Sequence, residues 1–178
     1  NFLRSLTEVT LIHQSALRFS SGIGLLMLFV LGAVMAGAAE LPYGGWVQLP
    51  ILSLIWWVIT ANRSTIIKKN FSLGLSFGLG YFVVALWWIY ISLHDVGGIN
   101  PIFSSLAVFL LAAGIAIFFS FACLPLYLQK HTHLTGLILA GTWVIIEYLR
   151  SVFLTGFPWM GFAEAQVNGP FSSIAPFF

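Results

Sequence analysis

The chain has 178 residues, 60% of them hydrophobic and only 7% charged, with a mean hydropathy of +1.00. A water-soluble domain carries about a quarter of its residues as charges, so seven Lys and Arg with five Asp and Glu cannot solvate a globular surface. The composition is that of a membrane protein. A net charge of +2, with scattered basic residues, gives no nucleic-acid patch, and the single Cys123 excludes an internal disulfide framework.

The chain opens on Asn1 rather than Met and closes on an apolar run from Ser172 to Phe178. It is therefore expected to be an internal or truncated piece of a longer protein. Residues 1–18 are expected to form a cytoplasmic or interfacial N-terminal segment. Phe2, Leu6, Val9 and Ala16 recur there at roughly helical spacing, although a frayed tail fits as well.

Charges then divide the sequence into apolar spans. Residues 19–39 lie uncharged between Arg18 and Glu40. At about 1.5 Å per residue such a helix reaches roughly 30 Å, the thickness of the hydrocarbon layer. Arg4 and Arg18, this stretch and Ala36-Gly37-Ala38 also resemble a signal peptide, but the charge-free run is long for one. Pro42 and Pro50 predict a second helix over 46–61, and a third span covers 70–94. A fourth covers 101–128, with Asn100 as its cap and Pro101 at its first position. The fifth is predicted over 134–157, and a sixth begins at about 171. The expected fold class is all-α, a polytopic transmembrane helix bundle of five spans and the start of a sixth, occupying 19–178.

Loop charges give this bundle a direction. Arg4, Arg18, Arg63, Lys68, Lys69 and Lys130, six of the seven basic residues, fall on one side. The positive-inside rule then predicts a cytoplasmic N-terminus, with Glu40 and His94-Asp95 in outward loops. Trp56-Trp57, Tyr81, Trp87, Trp88 and Tyr90 read first as rings anchoring helices at headgroup level.

Few residues suggest chemistry. Glu147 and Arg150, three apart, share a helix face and can pair. Glu147 falls roughly 20 Å along a helix that starts at Leu134. Charge at such depth faces protein or a water-filled cavity, or else both side chains snorkel to the outer interface. Thr155-Gly156-Phe157-Pro158-Trp159, then Gly161-Phe162, should end that helix, with Phe157, Trp159 and Phe162 at the outer interface. His94-Asp95, with Ser92 or Ser104 in reach of sequence, lacks any nucleophile motif and reads as a polar turn. His131 and His133, two apart, are poorly spaced as ligands, and Cys123 reads as a small packing residue. Gly74-x-x-x-Gly78 with Gly80 fits a helix-packing face. No cofactor and no metal site is expected, and no catalytic residue can be assigned.

One block is more distinctive. Glu147-Tyr148-Leu149-Arg150-Ser151-Val152-Phe153-Leu154-Thr155-Gly156-Phe157-Pro158-Trp159 resembles the signature of bacterial apolipoprotein N-acyltransferases. Gln166-Val167-Asn168-Gly169-Pro170 and Ile174-Ala175-Pro176 continue the likeness, as does Trp88-Ile89-Tyr90-Ile91-Ser92 before Gly97-Gly98. The resemblance implies a multi-pass enzyme of the bacterial inner (cytoplasmic) membrane. Such enzymes take an acyl chain from a phospholipid donor and place it on the N-terminal cysteine amine of a diacylated lipoprotein acceptor. It further implies a periplasmic nitrilase-like domain after the sixth helix, with a Glu, Lys and Cys set acting through a thioester. A related arrangement fuses the bundle to a glycosyltransferase instead. None of that catalytic set maps onto these residues, so the stretch alone is expected to be inactive. Trp88, Tyr90, Glu147, Arg150, Phe157 and Trp159 are the candidates for shaping a lipid-access side, among membrane lipids. A transporter or channel piece and a non-catalytic membrane scaffold are the alternatives.

Overall fold

A computed structural model describes residues 21–128, 134–153, 156, 160–162 and 164–173. Among them every regular element is helical, and no strand occurs. Helix α1 covers Ser21–Ala39, α2 Gly44–Asn62, α3 Ile67–Ala85, α4 Trp87–Ile91, α5 Pro101–Cys123 and α6 Thr135–Val152. A π-helical turn, Ser92–Val96, extends α4, and 3₁₀ turns follow α5 at Leu124–Leu128 and α6 at Glu164–Asn168. Four helices are individually long and apolar enough to cross a membrane, and the bent pair α3–α4 brings the number to five.

Their apolar surface is turned outward as well as inward. Leu26, Val30, Phe103, Phe109, Leu110, Leu137 and Val144 are exposed large hydrophobic side chains. In water such a surface would aggregate. In a bilayer it meets lipid, and each helix satisfies its own backbone polar groups.

Helix α3 is the centre. It packs against α1 on one side and α5 on another, while α2 leans on α1 and α6 on α5. Lipid supplies no hydrophobic drive between helices, so close approach of backbones does the work. A Cβ at Gly80 would strike the Phe29 carbonyl of α1, and one at Gly32 the Phe77 carbonyl of α3. Gly74 meets the Phe119 carbonyl of α5, and Gly78 meets Ala116. The expected packing motif is thus split: Gly74 and Gly78 face α5, whereas Gly80 faces α1. Two hydroxyls add polar links. Ser76 Oγ donates to the Leu25 carbonyl at 2.6 Å, and Thr142 Oγ1 to the Ala122 carbonyl at 2.8 Å.

Helix ends follow local chemistry. Asn100 Oδ1 accepts the Ile102 N–H at 2.9 Å and Pro101 stands at the first position of α5, as the sequence predicts. Helix α2 starts at Gly44, before the predicted Trp46, and runs through Pro50. Tyr43 enters it from the left-handed region at φ 63°, and a Cβ on Gly44 would hit the Ala38 carbonyl, so the α1–α2 turn needs glycine there.

The predicted third span is not one straight helix. It bends by 47° between α3 and α4. At the break Leu86 takes φ −99° and ψ 10° and is fully buried, while Trp87 and Trp88 are exposed. The fifth span also differs, for α6 ends at Val152 with Phe153 extended, short of the predicted 157. The predicted sixth span falls mostly on 174–178, outside the described residues; Phe171–Ser173 are turn.

The two ends of the bundle differ. The Arg63 end carries Arg63, Lys68 and Lys69. There Arg63 Nη1 donates to Thr135 Oγ1 at 2.6 Å, joining α2 to α6. Asn70, fully buried, accepts the Ser64 N–H at 2.8 Å and donates to the Ser64 carbonyl at 2.7 Å, clasping the α2–α3 loop. The far end gathers the α1–α2 turn, the π-helical turn and the described residues after α6.

Candidate functional site

Helix α6 aligns Leu139, Trp143, Glu147 and Arg150 at steps of four, four and three, one face of a helix. That face meets α3 and α5, while Val144, Ile145, Tyr148 and Leu149 look outward. Arg150 is only 4% exposed. Its Nη2 lies 3.8 Å from Glu147 Oε1, and the guanidinium carbon sits 5.6 Å from the centre of the Phe82 ring. The snorkelling alternative is therefore corrected for Arg150. The helix ends two residues later, yet the side chain turns into the bundle, where a carboxylate and an aromatic face receive it.

The segment after α6 folds back over this pair. Gly156 is left-handed at φ 81°, and a Cβ there would strike the Ser151 carbonyl. Met160 is also left-handed, at φ 59°. Tyr81 Oη donates to the Met160 carbonyl at 2.9 Å, and the Phe162 N–H reaches Glu147 Oε1 at 3.4 Å. The Phe162 ring then enters an aromatic cluster: 4.7 Å from Trp143, 5.1 Å from Tyr81 and 6.0 Å from Phe119, centre to centre. Phe77 and Trp143 stand about 12 Å inside their helix ends at 1.5 Å per residue. The chain thus dips back into the bundle rather than lying across its rim.

Further along, the Glu164–Asn168 turn seats on the start of α2. Gln166 Nε2 donates to Gln48 Oε1 at 3.2 Å and to the Gly45 carbonyl at 3.4 Å. Gly45 faces Gly169 and the Ala165 carbonyl so closely that a side chain there would collide.

The candidate residues divide into two groups. Glu147 and Arg150 belong to the buried cluster. Tyr90 lies on α4, its ring 4.7 Å from Trp87 and 5.4 Å from His94; Trp88 is 44% exposed on the same short helix. Phe157 and Trp159 lie outside the described residues, as do His131 and His133. Asp95 stays beside His94 at 3.9 Å on an exposed turn, where His94 Nδ1 bonds to the Ile99 carbonyl. Cys123 is buried in the apolar core, in keeping with a packing role.

Tyr81 corrects another expectation. It is 1% exposed, so it is a core residue and not a headgroup anchor. Phe162 likewise is a ring of the internal aromatic cluster and not of the outer interface. The Gly-Phe-Pro-Trp-Met-Gly run marked only the end of the helix, and nothing local pointed to Tyr81, Gln48 and Gln166 as its partners.

These features define a class: a polytopic membrane bundle whose last described helix holds an inward ion pair, covered by a folded-back loop. The chain belongs to the family described as "Apolipoprotein N-acyltransferase N-terminal domain", whose pattern matches residues 17–178. The apolipoprotein N-acyltransferase of Haemophilus ducreyi is 34% identical over 156 residues, covering 86% of this chain and 29% of that protein. That of Pasteurella multocida is 33% identical over 76% of this chain and 25% of its own length. That of Shewanella oneidensis is 32% identical over 96% of this chain and 33% of its own length. The chain spans between a quarter and a third of these relatives.

Proposed function

We propose that this chain is the membrane domain of an enzyme that transfers an acyl chain from a phospholipid to the N-terminal cysteine of a diacylated lipoprotein. The family match over nearly the whole chain carries this reading. The bundle occupies the bacterial inner membrane with its N-terminus in the cytoplasm, because Arg63, Lys68 and Lys69 share the end that would face inward. The far end then faces the periplasm. The acyl-transfer residues implied by the family belong to a further, nitrilase-like domain on that side.

The far-end groups serve lipid access. Glu147 and Arg150 fix the folded-back loop at Phe162, in the same stretch of sequence as Phe157 and Trp159. Trp88 and Tyr90 form a second aromatic edge at the same end. A lipid chain needs an apolar, water-excluding route, which aromatic rings provide, and the Trp and Tyr rings add polar tips suited to headgroup depth.

The test uses the full-length protein. Trp159→Ala and Glu147→Gln should each lower acyl transfer per mole of folded protein by up to about a hundredfold, the scale of a misplaced positioning element. Unchanged acyl transfer and unchanged folded yield in both variants would sink the lipid-access assignment. A full-length protein lacking acyl transfer altogether would sink the enzymatic one.

A further inference from the structure

The Arg63 end holds a pocket that the acyl-transfer reading does not use. It has a volume of about 260 Å³ and is lined by Leu25 of α1, Asn62 of α2, and Lys68, Lys69, Ser72 and Leu73 of α3. Two cations and two neutral polar groups share the lining with two leucines, and Leu73 stands one turn further into α3 than Lys69. Lys68 and Lys69 are both exposed, and neither has a carboxylate partner among the described ion pairs. Ser72 Oγ gives its proton to the Lys68 carbonyl of its own helix, so it can only accept, from a hydroxyl of a guest, while the lysine ammonium groups donate to an anion.

We infer that this pocket binds the headgroup of an anionic phospholipid, whose glycerol end rests on the buried Leu73 and whose acyl chains leave past the partly buried Leu25 into the bilayer. Ligand pockets usually begin near 300 Å³, so this one suits a phosphodiester and its glycerol rather than a whole lipid. A soluble phosphate would use the lysines but gain nothing from the leucines. Basic pockets between helices at the cytoplasmic boundary suit such headgroups on electrostatic grounds. The inference rests on the proposed orientation only for the leaflet, which would be the inner one. It is independent of acyl transfer, since the pocket lies at the opposite end from the Glu147 loop.

The experiment measures lipid binding to the full-length protein in neutral detergent by native mass spectrometry. Phosphatidylglycerol, phosphatidylcholine and free glycerol phosphate are the probes. Phosphatidylglycerol should bind more tightly than phosphatidylcholine. Lys68→Gln with Lys69→Gln should weaken it about thirtyfold, and Lys68→Arg with Lys69→Arg should restore most of it. Ser72→Leu keeps both charges and fills the pocket, so it should weaken binding too. The inference is overturned if the double Gln variant keeps wild-type affinity or if phosphatidylcholine binds equally. Wild-type affinity in a folded Ser72→Leu protein would also overturn it, by showing diffuse surface attraction. Glycerol phosphate binding as tightly as the lipid would replace the lipid with a soluble anion.

Discussion

Arg150 sets the character of the far end. A guanidinium inside a membrane bundle is stable only where something answers its charge, and here Glu147 and the Phe82 ring do so. Breaking a buried pair from one side costs about 3–5 kcal/mol. The Glu147 side chain is 26% exposed, which screens the pair and favours the lower figure. Arg150→Met should therefore cost roughly 3 kcal/mol and depress both melting temperature and folded yield in detergent. Glu147→Gln keeps an amide oxygen for the Phe162 N–H but takes the carboxylate away from the more buried Arg150, so it should cost a comparable amount. Equal melting temperatures for wild type and Arg150→Met would show that the pair does not hold the bundle. Tyr81→Phe makes a finer probe, keeping every ring contact and removing one bond to the Met160 carbonyl. It should cost about 1 kcal/mol and speed proteolysis between Gly156 and Asn168; unaltered cleavage there would mean that the ring packing alone secures the loop. The pairing of Glu147 with Arg150 was legible from their spacing. Their inward direction was not, because it depends on Phe82, Tyr81 and Phe162, which come from elsewhere in the chain.

Elements were legible wherever their signals were local. Charges bounded the spans, and Asn100-Pro101 announced the start of α5. The break at Leu86 was not legible, since no Gly or Pro stands between Tyr81 and Val96. Burial of Leu86 against the core, with Trp87 and Trp88 outside, is a tertiary condition that periodicity cannot carry. The glycines show the same division. Gly80 touches the α1 backbone, whereas Gly37 and Gly114 have nothing within 4 Å of an added Cβ, and sequence alone does not separate them. Gly80→Ala must part α1 from α3, losing contacts along both helices, and should destabilise by about 2 kcal/mol. Gly114→Ala should be neutral or stabilise by up to about 1 kcal/mol through helix propensity. Thermal unfolding of the two variants side by side checks this. A Gly80→Ala protein as stable as Gly114→Ala would contradict the close α1–α3 contact.

At the scale of the whole molecule the bundle has two ends with different work. Cationic side chains and hydrogen-bonded loops close the Arg63 end, and the same cations that would orient the chain also line its pocket. The far end has a buried ion pair, left-handed backbone and edge-to-face rings, the equipment for holding an irregular segment inside a membrane domain. Irregular backbone at that depth is tolerated only where protein satisfies its polar groups, and Tyr81 and Glu147 do this for Met160 and Phe162. If the orientation is as proposed, this segment borders the periplasm. Single cysteines placed at Leu41, Val96 and Ile66, all exposed loop or helix-end positions, test it in a full-length background with other cysteines replaced by serine. A membrane-impermeant maleimide added to intact spheroplasts should label positions 41 and 96. Position 66 should react only after the membrane is permeabilised. Labelling of 66 alone before permeabilisation would invert the bundle, putting the folded-back loop in the cytoplasm and the lysine pocket in the outer leaflet.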